Sequence, residues 1–170
     1  QMVPTLFNEG VNTNSNVTDS VDIMLHTATS PYNTLLTKRV ALYTNGNCNF
    51  PVGSLTGSYY IAVNHRNAVE TWSAAPVNLN TGSYDFSNAI TKAYGSNMIL
   101  VQTGIWAFYT GDIQKDGNID LLDMSVVESD ALNFAYGYYA SDVNGDGNVD
   151  LLDLNPVEAN TQNFIYSMRP

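Results

Sequence analysis

The feature that most constrains this chain is a twelve-residue pattern that occurs twice, thirty residues apart. The first copy runs from Asp112 to Asp123 and the second from Asp142 to Asp153. Each copy places oxygen-bearing residues at positions 1, 3, 5, 7, 9 and 12, and a glycine at position 6. These residues are Asp112, Gln114, Asp116, Asn118, Asp120 and Asp123 in the first copy, and Asp142, Asn144, Asp146, Asn148, Asp150 and Asp153 in the second. The repeated set predicts two sites for a cation that prefers many oxygen ligands.

This spacing is that of the EF-hand calcium loop, in which side-chain oxygens and the backbone carbonyl of position 7 surround a hard cation. Gly117 and Gly147 stand at position 6, where the chain turns sharply and a residue without Cβ is favoured. Without a cation the four carboxylates of each loop would repel one another, so an acidic turn without metal is the weaker interpretation. We therefore expect two bound Ca²⁺ ions. The first loop is expected to bind more weakly, because Gln114 is longer than Asn144.

The acidic charge of the chain is concentrated in its C-terminal part. The formal net charge is −10; residues 1–104 carry five acidic and four basic side chains, whereas residues 105–170 carry eleven and two. Without a basic patch, nucleic acid is not an expected partner, and no apolar run is long enough to span a membrane. The start at Gln1 rather than Met is expected of a processed product or of a fragment of a longer protein. The polar, lysine-poor composition favours a protein that is secreted or on the cell surface.

Residues 1–105 show the pattern of an all-β domain. Short runs rich in Val, Ile, Thr and Tyr are separated by Asn, Gly and Pro, which is typical of a β-sandwich or barrel. Alternate residues within 21–25, and within 59–63, are expected to share one face of a strand. The predicted strands lie near residues 2–8, 20–27, 36–44, 57–64, 69–74, 83–87 and 98–109.

Each acidic loop is expected to continue into a short helix, without the helix that precedes the loop in a full EF-hand. The segments 125–128 and 155–158 have the capping-box spacing that marks a helix start, with Pro156 at the first position of the second helix. The helices are expected to end near Asp130 and Asn160. Val149, at position 8 of the second loop, is expected to meet the first loop in a short β-bridge. The predicted core of the two units contains Val126, Val127, Phe134, Val157, Phe164 and Ile165.

The two loop–helix units resemble a type I dockerin, whose duplicated calcium loops have this spacing and an Asp at position 12. Residues 57–76 and 93–98 are similar to a C-terminal region of large secreted proteins of Bacteroidetes-type bacteria. The resemblance implies a mainly β, non-catalytic extracellular module: an Ig/transthyretin-like β-sandwich at residues 1–105 and a small α dockerin-like module at 106–170. In this family another short strand usually precedes the segment that begins at Met2. A neighbouring copy is therefore expected to supply that strand by strand addition.

Loop positions 10 and 11 depart from the pattern of cellulosomal dockerins, which carry small hydroxyl residues there for binding cohesin. Here they hold Leu121-Leu122 and Leu151-Leu152. Ordinary cohesin binding is therefore not expected. The leucines are expected either to pack against the neighbouring sandwich or to form an apolar surface for a partner.

Two other residue sets have a functional and a structural interpretation. His65, Arg66 and Glu70 could form an acid–base set, but such residues around a strand and turn more often form a structural ion pair and hydrogen bonds, so an enzyme is not expected. The aromatic residues of the strands could stack on sugars, but they are more often core. These are Tyr59, Tyr60, Trp72, Tyr84 and Trp106.

The sequence thus predicts a calcium-stabilised structural or adhesive building block that self-assembles into a surface fibre by strand addition. Its expected partners are other copies of itself or a surface protein. The alternative is a docking or carbohydrate-binding accessory module of a larger secreted enzyme.

Overall fold

The computed structural model describes residues 2–170, and Gln1, the first residue of the predicted N-terminal domain, lies outside the described residues. The described chain is mainly β, as the sequence predicted. The strands are β1 (Val17–His26), β2 (Thr34–Tyr43), β3 (Ser58–His65), β4 (Ala68–Trp72), β5 (Val77–Asn78), β6 (Ile99–Gln102) and β7 (Ile105–Ala107). The α-helices are α1 (Thr5–Asn8), α2 (Leu121–Leu132) and α3 (Leu151–Gln162).

The strands form two antiparallel sheets. The larger has the order β2-β1-β3-β4, with β5 paired to β3. β6 and β7 divide the run predicted near residues 98–109 and form a separate hairpin. The register sets Ile23 opposite Val63 and Leu25 opposite Ile61, which confirms the predicted alternation on both strands. The Ig/transthyretin-like sandwich and the domain boundary at residue 105 stay predictions, and β7 crosses that boundary.

Two of the predicted strands are wrong. In the segment 2–8, α1 forms instead, because the N–H groups at its end donate to the carbonyl oxygen of Pro4 at 3.0 Å. The segment 83–87 is irregular and ends in a turn, in which the N–H and hydroxyl of Ser87 donate to Oδ1 of Asp85 at 2.8 and 2.7 Å. Side-chain acceptors of this kind satisfy the backbone locally and compete with strand pairing.

The helices α2 and α3 begin directly at the ends of the acidic loops, earlier than predicted. The aspartate at position 9 of each loop is the N-cap, and the aspartate at position 12 completes a capping box with it. The predicted starts at Ser125 and Asn155 are therefore wrong, and both helices extend two residues beyond their predicted ends. Pro156 lies inside α3, where its missing N–H removes one helical hydrogen bond.

Both helices end in the same turn, which brings a phenylalanine to the surface. The N–H of Phe134 donates to the carbonyl oxygen of Ala131 at 3.0 Å, and the N–H of Ala135 donates to that of Asp130 at 2.9 Å. This is the Schellman pattern of a helix C-terminus, and it recurs after α3 at Phe164. The two phenylalanines have φ of 52° and 53° and are 88% and 83% exposed. The prediction that they belong to the core is wrong, because the left-handed turn directs them outward.

Phe134→Gly is expected to raise the free energy of unfolding by about 1 kcal/mol, because glycine adopts a positive φ without the Cβ clash. Little packing is lost with a side chain that is 88% exposed. Glu128→Gly is the matched control: Glu128 is also exposed but lies in the interior of α2, where glycine is destabilising by about 1 kcal/mol. Urea unfolding of both variants measures the two changes. If both variants lost stability, the backbone at Phe134 would not be strained by its positive φ.

Candidate metal centre

The aspartate at position 12 closes each acidic loop in the same way. Oδ1 accepts the N–H groups of positions 2 and 3, at 2.8 and 3.0 Å in the first loop and at 2.7 and 3.0 Å in the second. Oδ2 accepts the N–H of position 9 at 3.0 Å in both loops. Asp123 and Asp153 are 2% and 0% exposed. Each loop is therefore wrapped around a buried carboxylate, with three of its lone pairs already used.

The aspartate at position 1 of the second loop is also enclosed by backbone donors. Asp142 is 0% exposed, and its Oδ1 accepts the N–H groups of Gly145 and Asp146 at 2.7 and 3.2 Å. Its Oδ2 accepts the N–H of Gly147 at 3.1 Å. The positive φ of Gly147, 86°, lets the backbone turn back onto this carboxylate. A Cβ at this position would lie 2.3 Å from Oε1 of Glu9, so the N-terminal segment packs against the turn.

The first loop differs at position 1. Asp112 is 1% exposed, but its Oδ1 is buried and has no hydrogen-bond partner within residues 2–170. Its Oδ2 lies 3.5 Å from Nζ of Lys115, which occupies position 4, where the second loop has Gly145. A buried anionic oxygen without a partner is destabilising. A bound cation would supply the missing partner. The unpartnered Oδ1 of Asp112 therefore fits a site for a metal ion.

Burial dominates the electrostatics of both position-1 carboxylates. Burial raises the pKa of Asp112; the Lys115 ammonium partly offsets this effect, and the charge of Asp123 adds to it. Burial likewise raises the pKa of Asp142, against the hydrogen bonds from Gly145 and Gly147. Burial also lowers the pKa of Lys115, whose ammonium donates to the carbonyl oxygen of Ala68 at 2.5 Å. The first loop therefore holds a buried anion beside a cation that donates to Ala68, the first residue of β4.

The remaining predicted ligands lie on the open side of the loops. Gln114, Asp116 and Asn118 are exposed, as are Asn144, Asp146, Asn148 and Asp150, and Asp120 is half-buried. Oδ1 of Asp116 accepts the N–H of position 7 at 2.8 Å, and Oδ1 of Asp146 does so at 2.9 Å. Among the described residues no three His, Cys, Asp or Glu side chains meet as a metal-binding group. EF-hand loops also use amide and carbonyl oxygens, which such a group does not include.

The two loops share a core, but they do not pair with each other. The N–H of Ile119, at position 8, donates to the carbonyl oxygen of Ile165 after α3, at 2.9 Å. The N–H of Val149 donates to the carbonyl oxygen of Ala135, which follows α2, at 3.0 Å. The predicted bridge between Val149 and the first loop is therefore wrong: each loop pairs with the segment that follows the helix of the other unit. Five buried side chains form the common core, namely Val69, Ile119, Val127, Val149 and Val157. Since Val69 belongs to β4, this core joins the loops to the large sheet.

A buried polar cluster makes a second connection between the sheet and the segment before the second loop. Oδ2 of Asp19 in β1 accepts hydrogen bonds from Nε2 of His65 at 3.0 Å and from Nε of Arg66 at 2.8 Å. Its Oδ1 accepts the phenol of Tyr138 at 2.6 Å. Burial alone would raise the pKa of Asp19, but His65, Tyr138 and Arg66 together hold it well below its usual range. Burial and the hydrogen bond to Asp19 raise the pKa of Tyr138 to about 12.

His65, Arg66 and Glu70 are thus not assembled as an acid–base set. His65 and Arg66 contact Asp19, whereas Glu70 accepts the indole N–H of Trp72 at 2.6 Å. The structural interpretation of these residues is the one that the geometry supports. Sequence reasoning missed Asp19, because no local pattern links it to a turn more than forty residues further along the chain.

The turn between β3 and β4 also contacts the second loop directly. Nδ2 of Asn67 donates to the carbonyl oxygen of Asp142 at 3.1 Å, and the guanidinium of Arg66 donates to that of Tyr139. From the N-terminal side, the hydroxyl of Thr5 donates to the carbonyl oxygen of Gly145 at 3.2 Å. The backbone of the second loop is therefore held from two sides by other parts of the chain.

The aromatic residues favour a core over a sugar-stacking surface. Trp72 is 3% exposed and lies 4.0 Å from the ring of His26 and 6.0 Å from that of Tyr60. Tyr84 packs edge-on against Phe86 at 4.9 Å. Trp72 is therefore a core residue, whereas Tyr59, Tyr60, Tyr84 and Trp106 are half-buried.

Within the described residues, no helix has both the length and the apolar character needed to cross a membrane. Comparison of the chain with protein-family models, with curated proteins and with solved structures finds no match.

Proposed function

We propose that this chain is a non-catalytic, secreted or cell-surface building block in which two Ca²⁺ ions fasten the C-terminal loop–helix units to the β-sheet. The observation that carries the proposal is the buried Oδ1 of Asp112, which lacks a partner inside a loop with the spacing of a calcium site. The identical closure of both loops by Asp123 and Asp153 supports the same role for each.

Calcium would be held by the oxygen-bearing residues at loop positions 1, 3, 5, 7, 9 and 12 named above, and would supply positive charge at buried carboxylates. The chain's own contribution is rigidity. Val69 packs against the loop core, Lys115 reaches the end of β4, and Asn67 donates to the second loop. Ordering the loops therefore orders the attachment of the helices to the sheet. A rigid connection of this kind suits a mechanical role rather than catalysis.

Self-assembly by strand addition is the proposed route to a fibre. β2 is a ten-residue strand at the edge of the large sheet and is paired to β1. Leu42 near its end also bridges to Cys48, but the rest of its outer edge has no strand partner among residues 2–170. A long open edge presents unpaired N–H and carbonyl groups to another chain.

A docking module of a larger secreted protein is the second candidate, and one observation favours it. The leucines at loop positions 10 and 11 are exposed by 56% to 71%, so they do not pack against the sheet. Large exposed apolar side chains in duplicate suit a protein partner better than a glycan. Ordered polymers under the electron microscope in calcium would favour the building block; a uniform monomer would favour docking.

Calcium is expected to raise the midpoint of thermal unfolding, since it binds the folded loops and not the unfolded chain. At a calcium concentration 100 times the dissociation constant, each site adds about 2.7 kcal/mol. Differential scanning calorimetry in calcium and in EDTA measures the shift, and magnesium at equal concentration is the ion control. A melting curve that is the same in calcium and in EDTA would remove the proposal.

The double variant Asp116→Asn, Asp146→Asn provides a matched protein control. Both side chains are exposed, and asparagine keeps the oxygen that accepts the N–H of position 7. Its stability in EDTA is therefore expected to match that of the wild type, whereas most of the calcium shift is lost. Equal shifts in the two proteins would show that the ion binds elsewhere.

A further inference from the structure

Half of the lysines and arginines of this acidic chain line one cleft. The chain has six such residues and a net charge of −10. Arg39, Arg66 and Lys115 line an open cleft of about 190 Å³, together with His65 and Tyr138. We call it the basic cleft. It lies where β1 and β2, the turn after β3, and the first acidic loop come together.

Each of the three cations is held in place and still has a donor to spare. Nε and Nη2 of Arg39 donate to Asp22 at 2.9 and 2.7 Å. The Nε and Nη1 groups of Arg66 donate to Asp19 and to the carbonyl oxygen of Tyr139. Within residues 2–170, no hydrogen bond uses Nη1 of Arg39 or Nη2 of Arg66. The ammonium of Lys115 has three donors and two acceptors, the carbonyl oxygen of Ala68 at 2.5 Å and Oδ2 of Asp112 at 3.5 Å, so one donor remains.

This arrangement is pre-organised for an anion. The carboxylates of Asp19 and Asp22 orient the two guanidinium groups, so little side-chain freedom remains to be lost on binding. Three cations face these two carboxylates, and the third carboxylate, that of Asp112, is 3.5 Å from Lys115. The three cations are thus matched by three carboxylates, and what the cleft offers an anion is a set of convergent, already oriented N–H donors rather than net charge.

We infer that the basic cleft binds a small oxyanion group, either a free inorganic anion or the sulfate or carboxylate of an acidic sugar. A cleft of about 190 Å³ that is open to solvent has room for one such group or one sugar ring. Guanidinium and ammonium donors are the groups that proteins use for sulfate, phosphate and carboxylate. None of the predicted calcium ligands lines the cleft, although Lys115 belongs to the first loop and its ammonium lies 3.5 Å from Oδ2 of Asp112.

The test is titration of the ¹⁵N-labelled protein with sodium sulfate, with glucuronate and with neutral glucose, followed by NMR at constant ionic strength in saturating calcium chloride. We expect sulfate and glucuronate to shift the amides around Arg39, Arg66 and Lys115 with dissociation constants of about 1 mM, and glucose to shift none. Equal affinities for sulfate and glucuronate would show that a free oxyanion is enough for binding and that the sugar ring adds nothing. Tighter binding of glucuronate would identify the acidic sugar. Absence of saturable shifts with both anions would overturn the inference.

Two variants and one control locate the site. Arg39→Gln and Lys115→Gly are each expected to weaken binding at least about fivefold. The Arg39 side chain is 71% exposed, and Lys115 has a φ of 60° that glycine accepts readily, as Gly145 does in the second loop. Lys38→Gln is the control, because Lys38 precedes Arg39 on β2, points to the other face and donates to Pro51. An equal loss in all three variants would show non-specific attraction and overturn the assignment.

Discussion

Asp153→Ala is expected to lower the free energy of unfolding by about 3 kcal/mol or more, even in EDTA. The carboxylate is fully buried and accepts three backbone N–H groups of the second loop. Its removal leaves those donors without partners, and each buried donor left unsatisfied costs about 1 to 3 kcal/mol. It also removes one half of the capping box of α3. Urea unfolding followed by circular dichroism measures the change.

Asp150→Ala is the matched control for this prediction. Asp150 lies in the same loop and, as the N-cap of α3, accepts the N–H of Leu152 at 2.7 Å and the N–H of the third helical residue, but it is exposed. The loss expected from an N-cap of this kind is about 1 kcal/mol. The loss in the free energy of unfolding measured in EDTA is due to the hydrogen bonds alone. Any additional loss measured in calcium is due to weaker binding of the metal ion. If the two variants were equally stable in EDTA, the central role of Asp153 in closing the loop would be wrong.

The loops were predictable from the sequence because their pattern is local. The acidic positions, the glycines at position 6 and the thirty-residue repeat all reappear as two loops with the same closure. Alternation in β1 and β3 was predictable for the same reason, since side chains at every second residue share a face.

The helix starts were mispredicted because two capping boxes compete within a few residues. Ser125 and Glu128 have the right spacing, but Asp120 and Asp123 form the box that is used. The earlier box prevails because Asp123 accepts loop N–H groups and the N-cap N–H at the same time. Spacing alone does not reveal that second role.

Contacts between distant parts of the chain had no signal in the sequence. Asp19 and Tyr138 are 119 residues apart and meet at 2.6 Å. The outward direction of Phe134 depends on a left-handed turn, whereas its apolar character suggested burial. The basic cleft likewise collects Arg39, Arg66 and Lys115 from three separate elements. Tertiary packing, not local preference, decides each of these features.

Asp19→Ala is the second substitution with a large expected effect, a loss of about 3 to 5 kcal/mol in the free energy of unfolding. The carboxylate is 4% exposed, and the side chains of Arg66 and His65 are 14% and 16% exposed. Removing one member of a buried ion pair leaves the other charge uncompensated. Asp22→Ala is the control on the same strand: its partner Arg39 is 71% exposed, and an exposed pair contributes only about 0 to 1 kcal/mol. If the two variants lost similar amounts of unfolding free energy, the buried ion pairs of Asp19 would not contribute more than an exposed pair.

The contribution of Asp19 should also depend on pH in one direction. Its folded-state pKa is lowered, so the stabilisation is present above the unfolded-state pKa, near 4, and is lost as the pH falls below it. The difference in stability between wild type and Asp19→Ala is therefore expected to shrink as the pH falls from about 5 to below about 4. Urea unfolding at each pH, in EDTA so that calcium release does not contribute, measures this difference. A difference that grew between about pH 5 and pH 3 would mean that Asp19 is protonated in the folded chain. Asp19 could not then hold Arg66 through an ion pair.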